Sequence, residues 1–163
     1  SPGPDARAIR GTGPLPMIRD ATPADLAALR SIFERASLSN VGGRAALLDH
    51  PAALVFGWPG EPMFRCRVAA ADAEGNLAGF ATTNRADRLI ELVDLFVDPD
   101  HMHQGFARSL LDDVVVHGQA TGARRLEVDG NPHKQAFYES VGFIVESTVV
   151  TEFGPGLRLG RSL

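Results

Sequence analysis

Between Leu95 and Leu111 the chain reads Leu-Phe-Val-Asp-Pro-Asp-His-Met-His-Gln-Gly-Phe-Ala-Arg-Ser-Leu-Leu. An apolar strand breaks at Asp98-Pro99 and reopens as a helix behind Gly105. This junction constrains the chain most, because a strand feeding directly into a helix belongs to layered folds in which helices cover a sheet. It also has a chemical consequence. The N-H groups of a first helical turn have no intrahelical acceptor and carry the positive end of the helix dipole, so a phosphate can dock there without a lysine. Gly105 leaves the backbone open to such a ligand.

The 163 residues, 44% of them hydrophobic, are enough for one filled core and too few for two ordinary domains. The net charge of -4 and the lack of a Lys/Arg run argue against nucleic acid as a partner. No apolar run is long enough to cross a bilayer and no hydrophobic signal core opens the chain, so no membrane partner and a cytoplasmic location are expected. The single cysteine, Cys66, excludes an internal disulfide and a cysteine-based zinc site. It reads as a small buried hydrophobe. Residues 1–16, rich in Pro and Gly, read as a flexible leader or an expression remnant, and 17–163 as a single domain.

Met17-Ile18-Arg19 reads as a first strand, and Thr22-Pro23-Ala24-Asp25 as a helix start with its cap, proline and acid. The helix should run to about Ala36, with Leu26, Leu29, Ile32 and Phe33 on one apolar face. A short helix is expected over Arg44 to His50. Strands over Phe64 to Ala70 and Leu77 to Thr83 flank a tight turn at Asp72 to Asn76. A strand from Leu89 to Val97, a helix from Gly105 to about Gln119, a strand at Leu126 to Asp129, a helix from about Pro132 to Ser140 and a last strand ending near Phe153 complete the order. The expected fold is α/β (α+β): a central mixed, mostly antiparallel sheet with helices on both faces.

A second block, Asn131-Pro132-His133-Lys134-Gln135-Ala136-Phe137-Tyr138-Glu139-Ser140-Val141-Gly142-Phe143, stands downstream of the junction. It resembles the closing motif of the GCN5-related N-acetyltransferase (GNAT) superfamily, Asn-x-x-Ala-x-x-Phe-Tyr-Glu-x-x-Gly-Phe. Asn131, Phe137, Tyr138, Glu139, Gly142 and Phe143 match, and Lys134 stands where Ala is usual. The junction is similar to the family's acyl-CoA signature, Gln/Arg-x-x-Gly-x-Gly/Ala, with Gly105 and Ala107 in place and Met102 where a polar residue is usual. Together the two cover about a third of the chain, from Leu89 to Phe143.

The resemblance implies the acyl-CoA N-acyltransferase fold and an acetyltransferase that takes the acetyl group of acetyl-CoA (coenzyme A) to a primary amine. It implies that His103, Gln104, Gly105, Phe106 and Ala107 hold the pyrophosphate through backbone N-H groups, with Arg108 adding charge. It further implies that the backbone of Leu95, Phe96 and Val97 bonds the pantetheine amides, and that Asn131 and Tyr138 lie beside the thiol. Tyr138 is then the candidate acid for the leaving thiolate, since a phenol can donate to sulfur. An alkylammonium must lose a proton before it attacks, and two acids on one strand offer to take it. Glu91 matches the position of a general base in several family members, and Asp94 lies nearer the strand end. Two-residue alternation puts them on opposite faces, so without a bulge only one can face the substrate. Water can also carry the proton.

Asp98, Asp100, His101, His103 and His133 are potential metal ligands, but they lack the helical His-Glu-x-x-His spacing and read as solvated turn residues, so no metal is expected. Direct transfer in a ternary complex is the leading reading, with no covalent acyl-enzyme. A non-catalytic acyl-CoA-binding or sensing domain and acetylation of a protein amine are the alternatives. The acceptor is taken as a small-molecule amine, met around Leu38-Ser39-Asn40, Trp58 and Thr148 to Phe153. Family habit suggests a homodimer.

Overall fold

A computed structural model describes residues 17–39, 64–151 and 154–163. The leader, the Arg44 to His50 helix, Asn40, Trp58 and Phe153 lie outside the described residues. Seven strands form one sheet: β1 (Met17–Asp20), β2 (Arg65–Ala70), β3 (Leu77–Ala86), β4 (Leu89–Val97), β5 (Arg125–Gly130), β6 (Ile144–Thr151) and β7 (Gly154–Ser162). Their spatial order is β1-β2-β3-β4-β5-β7-β6. Every neighbouring pair is antiparallel except β4 and β5, which run parallel through the crossover that carries the junction helix. The helices are α1 (Leu26–Ser39), α2 (Phe106–Ala120) and α3 (Gln135–Ser140). This is the mixed, mostly antiparallel sheet with helices on both faces that the sequence predicts.

The two faces of the sheet bury different residues. On one, Leu29 and Ile32 of α1 pack with Cys66, Val68 and Phe80, and Leu26 and Phe33 close the edge, as the helical spacing required. On the other, Leu110, Leu111 and Val114 of α2 meet Ile90, Leu92, Leu126 and Val128, and α3 adds Tyr138. Leu110 and Leu111 are fully buried, so truncating either to Ala costs about 2–5 kcal/mol. Gly118 lets α2 pass close to the sheet, because a Cβ there would stand 2.9 Å from Ile90 Cδ1. Arg67 of β2 grips Asp113 of α2 with two bonds of 2.9 and 3.0 Å, fixing the helix across the sheet.

The expected turn at Asp72 to Asn76 forms around the Asp72 carboxylate, which accepts from the Glu74 and Asn76 N-H groups at 3.1 Å each. The helix expected from Pro132 begins instead as a 3-10 turn, Pro132–Lys134, before α3. β7 is absent from the sequence-based expectation. Its Gly154, Pro155, Gly156 and Gly160 depress strand propensity, yet it sits between β5 and β6 with both edges paired. Gly160 has a steric reason. Arg125 and Glu146 fill the space where its Cβ would project.

Candidate active site

Two irregularities in the sheet create the site. β4 pairs with β5 only from Leu89 to Leu92, against Arg125 to Val128, and β4 then runs on to Val97 with no partner on that side among the described residues. The two strands therefore part at the sheet's centre. The second irregularity is a bulge in β4. Thr83 pairs with Leu92 and Thr82 with Asp94, leaving Val93 as the extra residue, half exposed at 51%.

That bulge corrects the expectation for the two acids. Glu91 pairs with Asn84 and Asp94 with Thr82, and residues 82 and 84 of β3 share one face. Glu91 and Asp94 therefore lie on the same face, the one covered by α1, and both can face a substrate there. Their environments differ. Glu91 is exposed, whereas Asp94 is half-buried and accepts a 2.6 Å hydrogen bond from Thr82 Oγ1. Burial pushes the Asp94 carboxyl above its ordinary value, and the Thr82 bond only partly opposes that shift. A carboxylate raised in this way is a stronger base than one in water.

At the end of β4 the chain turns through Asp98, which is buried and accepts from the Asp100 N-H at 2.9 Å. Arg35 of α1 reaches over and clamps this turn, donating to Asp98 Oδ2 at 2.7 Å and to Asp100 Oδ2 at 2.9 Å. Both carboxylates are thereby committed to a cation. His101 packs edge-on against Phe106, with ring centroids 6.0 Å apart. The backbone then enters the left-handed region twice, at His103 with φ 64° and at Gly105 with φ 88°. Gly105 caps α2 in that conformation, and an added Cβ would meet nothing within 4 Å. Its need for glycine is conformational, and the space in front of it is open.

The N-H groups from Met102 to Arg108 donate to no acceptor among the described residues. The ladder of α2 starts with Ser109 N-H to Gly105 O at 3.0 Å. His103, Gln104, Gly105, Phe106, Ala107 and Arg108 thus present consecutive free donors at the positive end of a 15-residue helix. Met102 is partly exposed and contributes no polar side-chain atom.

Tyr138 lies under the far side of the gap, on the face covered by α2. Its ring packs edge-on between Phe137 and Phe143, at 5.3 Å from each. A Cβ on Gly130, the last residue of β5, would stand 3.3 Å from Tyr138 Cε2. The residue is 7% exposed, and burial alone pushes its phenol up to about 12, so it stays protonated through neutral pH. Asn131 is half-buried and spends its Oδ1 on the His133 N-H at 2.9 Å, capping the turn that leads into α3. Cys66 is buried on the α1 face, and burial pushes its thiol up to about 12, which keeps it from acting as a nucleophile.

Sequence reasoning missed three residues at this site. Arg35 stands 63 positions from Asp98, and only the packing of α1 brings them together. Thr82 lies in an apolar strand with no local sign of its acidic partner. Arg158 comes from the unforeseen β7, where it forms a two-pronged pair with Asp129 at 2.8 and 3.0 Å on the face that carries Glu91.

A family model described as an acetyltransferase (GNAT) domain matches residues 65–154. Among solved structures, a GCN5-related N-acetyltransferase from Rhodopseudomonas palustris superposes with a TM-score of 0.71 at 23% identity, over 92% of this chain and 97% of that one. The PaiA N-acetyltransferase from Thermoplasma acidophilum, in complex with coenzyme A, gives 0.69 at 15% identity over 92% and 100%. A ribosomal-protein-alanine N-acetyltransferase from Escherichia coli gives 0.67 at 22% identity over 91% and 94%. No curated protein sequence matches. With the family model spanning more than half of its length, and the fold and both motifs in agreement, the chain belongs to the GCN5-related N-acetyltransferase superfamily.

Proposed function

We propose that the protein transfers the acetyl group of acetyl-CoA to a primary amine of a small molecule, by direct attack within a ternary complex. The observation that carries this reading is the parting of β4 from β5 beside the free N-H groups of Met102 to Arg108. That donor row fits a pyrophosphate, and the unpaired edge of β4 at Leu95, Phe96 and Val97 fits the amides of a pantetheine arm. The coenzyme A bound in the Thermoplasma acidophilum relative supports the same use of the fold here.

Acetyl-CoA supplies a thioester whose carbonyl accepts the amine. On the α1 face, Asp94 takes a proton from the incoming ammonium, and its raised carboxyl suits that task. Glu91 lies on the same face and draws the cation toward the gap. The amine forms the new C-N bond as the C-S bond breaks. On the opposite face, Tyr138 gives its proton to the departing sulfur and regains one from the amide nitrogen. The net products are an amide, a free thiol and one proton released to solvent. Asp94 and Tyr138 thus act from opposite sides of one opening, which is the arrangement that direct transfer needs. Holding both reactants there supplies much of the acceleration, because oriented reactants reach effective molarities on the order of 10^5 M.

The test is incubation with acetyl-CoA and a panel of polyamines, amino acids and aminoglycoside-type amines, alongside peptides with free N-termini. Thiol release is followed in parallel with product mass. An acetylated small amine supports the proposal. Acetylation confined to peptides moves the acceptor to a protein amine, the substrate type of the Escherichia coli relative. Acetyl-CoA binding without transfer to any amine would leave a sensing domain.

A further inference from the structure

A cleft of about 430 Å³ lies at the opposite end of α2 from the Gly105 loop. The 15 residues of the helix separate the two by roughly 22 Å at ~1.5 Å per residue. Arg65 pairs with Thr83, and Arg85 with Ile90, so all four side chains share the sheet face that looks toward α2. His117 and Thr121, near the C-terminal end of α2, close the other wall.

The two arginines are used differently. Arg85 is spent on structure: it donates to Asp87 O at 2.6 Å, Thr121 Oγ1 at 2.8 Å and Thr121 O at 3.1 Å, tying the β3–β4 turn to the helix end. The Arg65 guanidinium makes no hydrogen bond among the described residues. Its one ionic contact is 3.9 Å from Asp20 Oδ1, an atom already held by Arg67 at 3.0 Å. Yet its side chain is only 29% exposed. A guanidinium withdrawn this far from water with its donors unused is costly unless something accepts from it. Burial, and then the Arg65 and Arg85 charges, hold His117 below its ordinary value, which leaves a neutral imidazole on the wall despite the opposing pull of Asp113. Ile90, 3% exposed, lies at the floor, Phe64, which also packs on the α1-side cluster, forms an apolar edge, and one carboxylate, Asp87, stands at the rim.

We propose that this cleft is a second ligand site, which binds a small monocarboxylate with an apolar body. The carboxylate takes the planar fork of Arg65, and the body lies against the Phe64 edge, over the floor at Ile90. The hydroxyls of Thr83 and Thr121 and the ring of His117 offer further polar contacts. Asp87 sets the charge preference, since it repels a multiply charged anion more than a single carboxylate. The proposal stands apart from the acyl-transfer site, because it uses no residue of the Gly105 loop or of the gap between β4 and β5.

Calorimetric titration of the full chain with benzoate, benzyl alcohol and inorganic phosphate tests it, with the thermal midpoint of each variant recorded. Benzoate should bind saturably, equally well with and without saturating acetyl-CoA, and benzyl alcohol and phosphate should bind far more weakly. Arg65→Gln should weaken benzoate at least about tenfold while the midpoint stays near that of the parent, since the guanidinium makes no hydrogen bond among the described residues. Chemical-shift changes on benzoate addition should centre on Thr83 and His117. Absence of saturable binding, displacement by acetyl-CoA, phosphate binding as tight as benzoate, or unchanged affinity in a folded Arg65→Gln would each overturn the proposal.

Discussion

Gly105→Ala separates backbone strain from ligand exclusion. At φ 88° an L-residue occupies the left-handed region, at a cost of about 1–2 kcal/mol. The smaller entropy of the unfolded alanine chain returns about 0.4–1 kcal/mol of this. No clash adds to it, because a Cβ there meets nothing within 4 Å. The net loss is about 1 kcal/mol, which lowers the thermal midpoint of a chain this size by about 2–4 °C. Affinity for acetyl-CoA should fall by more than strain explains, since the Cβ projects into the open space before the donor row. A tenfold weaker Kd removes about 1.4 kcal/mol of ligand-induced stabilisation at saturating ligand. Gly105→Asn is the control: asparagine tolerates the left-handed region, so the midpoint recovers while the affinity does not. Scanning calorimetry of the three proteins, with and without acetyl-CoA, reads both quantities. Wild-type affinity in Gly105→Asn would refute the idea that this position faces the ligand.

Asp94→Asn should lower kcat roughly 10²-fold and raise the thermal midpoint at pH 7. Burial lifts the folded carboxyl above the unfolded value of 3.8, so stability is complete below that value and falls as pH rises through the folded one. The amide escapes that loss and keeps the Thr82 bond; a midpoint at pH 7 equal to or below the parent would contradict this. Tyr138→Phe should reduce kcat and leave the Kd for acetyl-CoA nearly unchanged, because the hydroxyl makes no side-chain hydrogen bond among the described residues. Unchanged turnover would remove Tyr138 as the acid. Arg35→Ala should leave the thermal midpoint close to that of the parent, because an exposed ion pair adds little to stability, yet speed amide hydrogen exchange between Asp98 and Gly105. Parent-like exchange would show that the Arg35 clamp is ornamental.

Local signals carried most of the fold and the donor row. Helical spacing at Leu29 and Ile32, the turn chemistry at Asp72 to Asn76 and the glycine at position 105 each depend on neighbours a few residues away, and each took the form expected of it. What failed depends on distant partners. The bulge at Val93 exists because Thr82 and Thr83 pair across it, and no window around Glu91 and Asp94 shows that the alternation slips by one. β7 looks like a glycine-rich tail until β5 and β6 supply both of its edges. The clamp of Arg35 on Asp98 joins residues that meet only after α1 has docked on the sheet. At the candidate site, therefore, sequence pointed to candidate ligand-binding groups more readily than to the residues that set their geometry and charge.

The central claim, that the donor row and the parted strands hold acetyl-CoA, is tested most directly by nuclear magnetic resonance of the 15N-labelled chain titrated with acetyl-CoA. The account predicts saturable shifts of the backbone amides from His103 to Arg108 together with those of Leu95, Phe96 and Val97. Saturation with those resonances unmoved, or shifts confined to another face of the sheet, would contradict it.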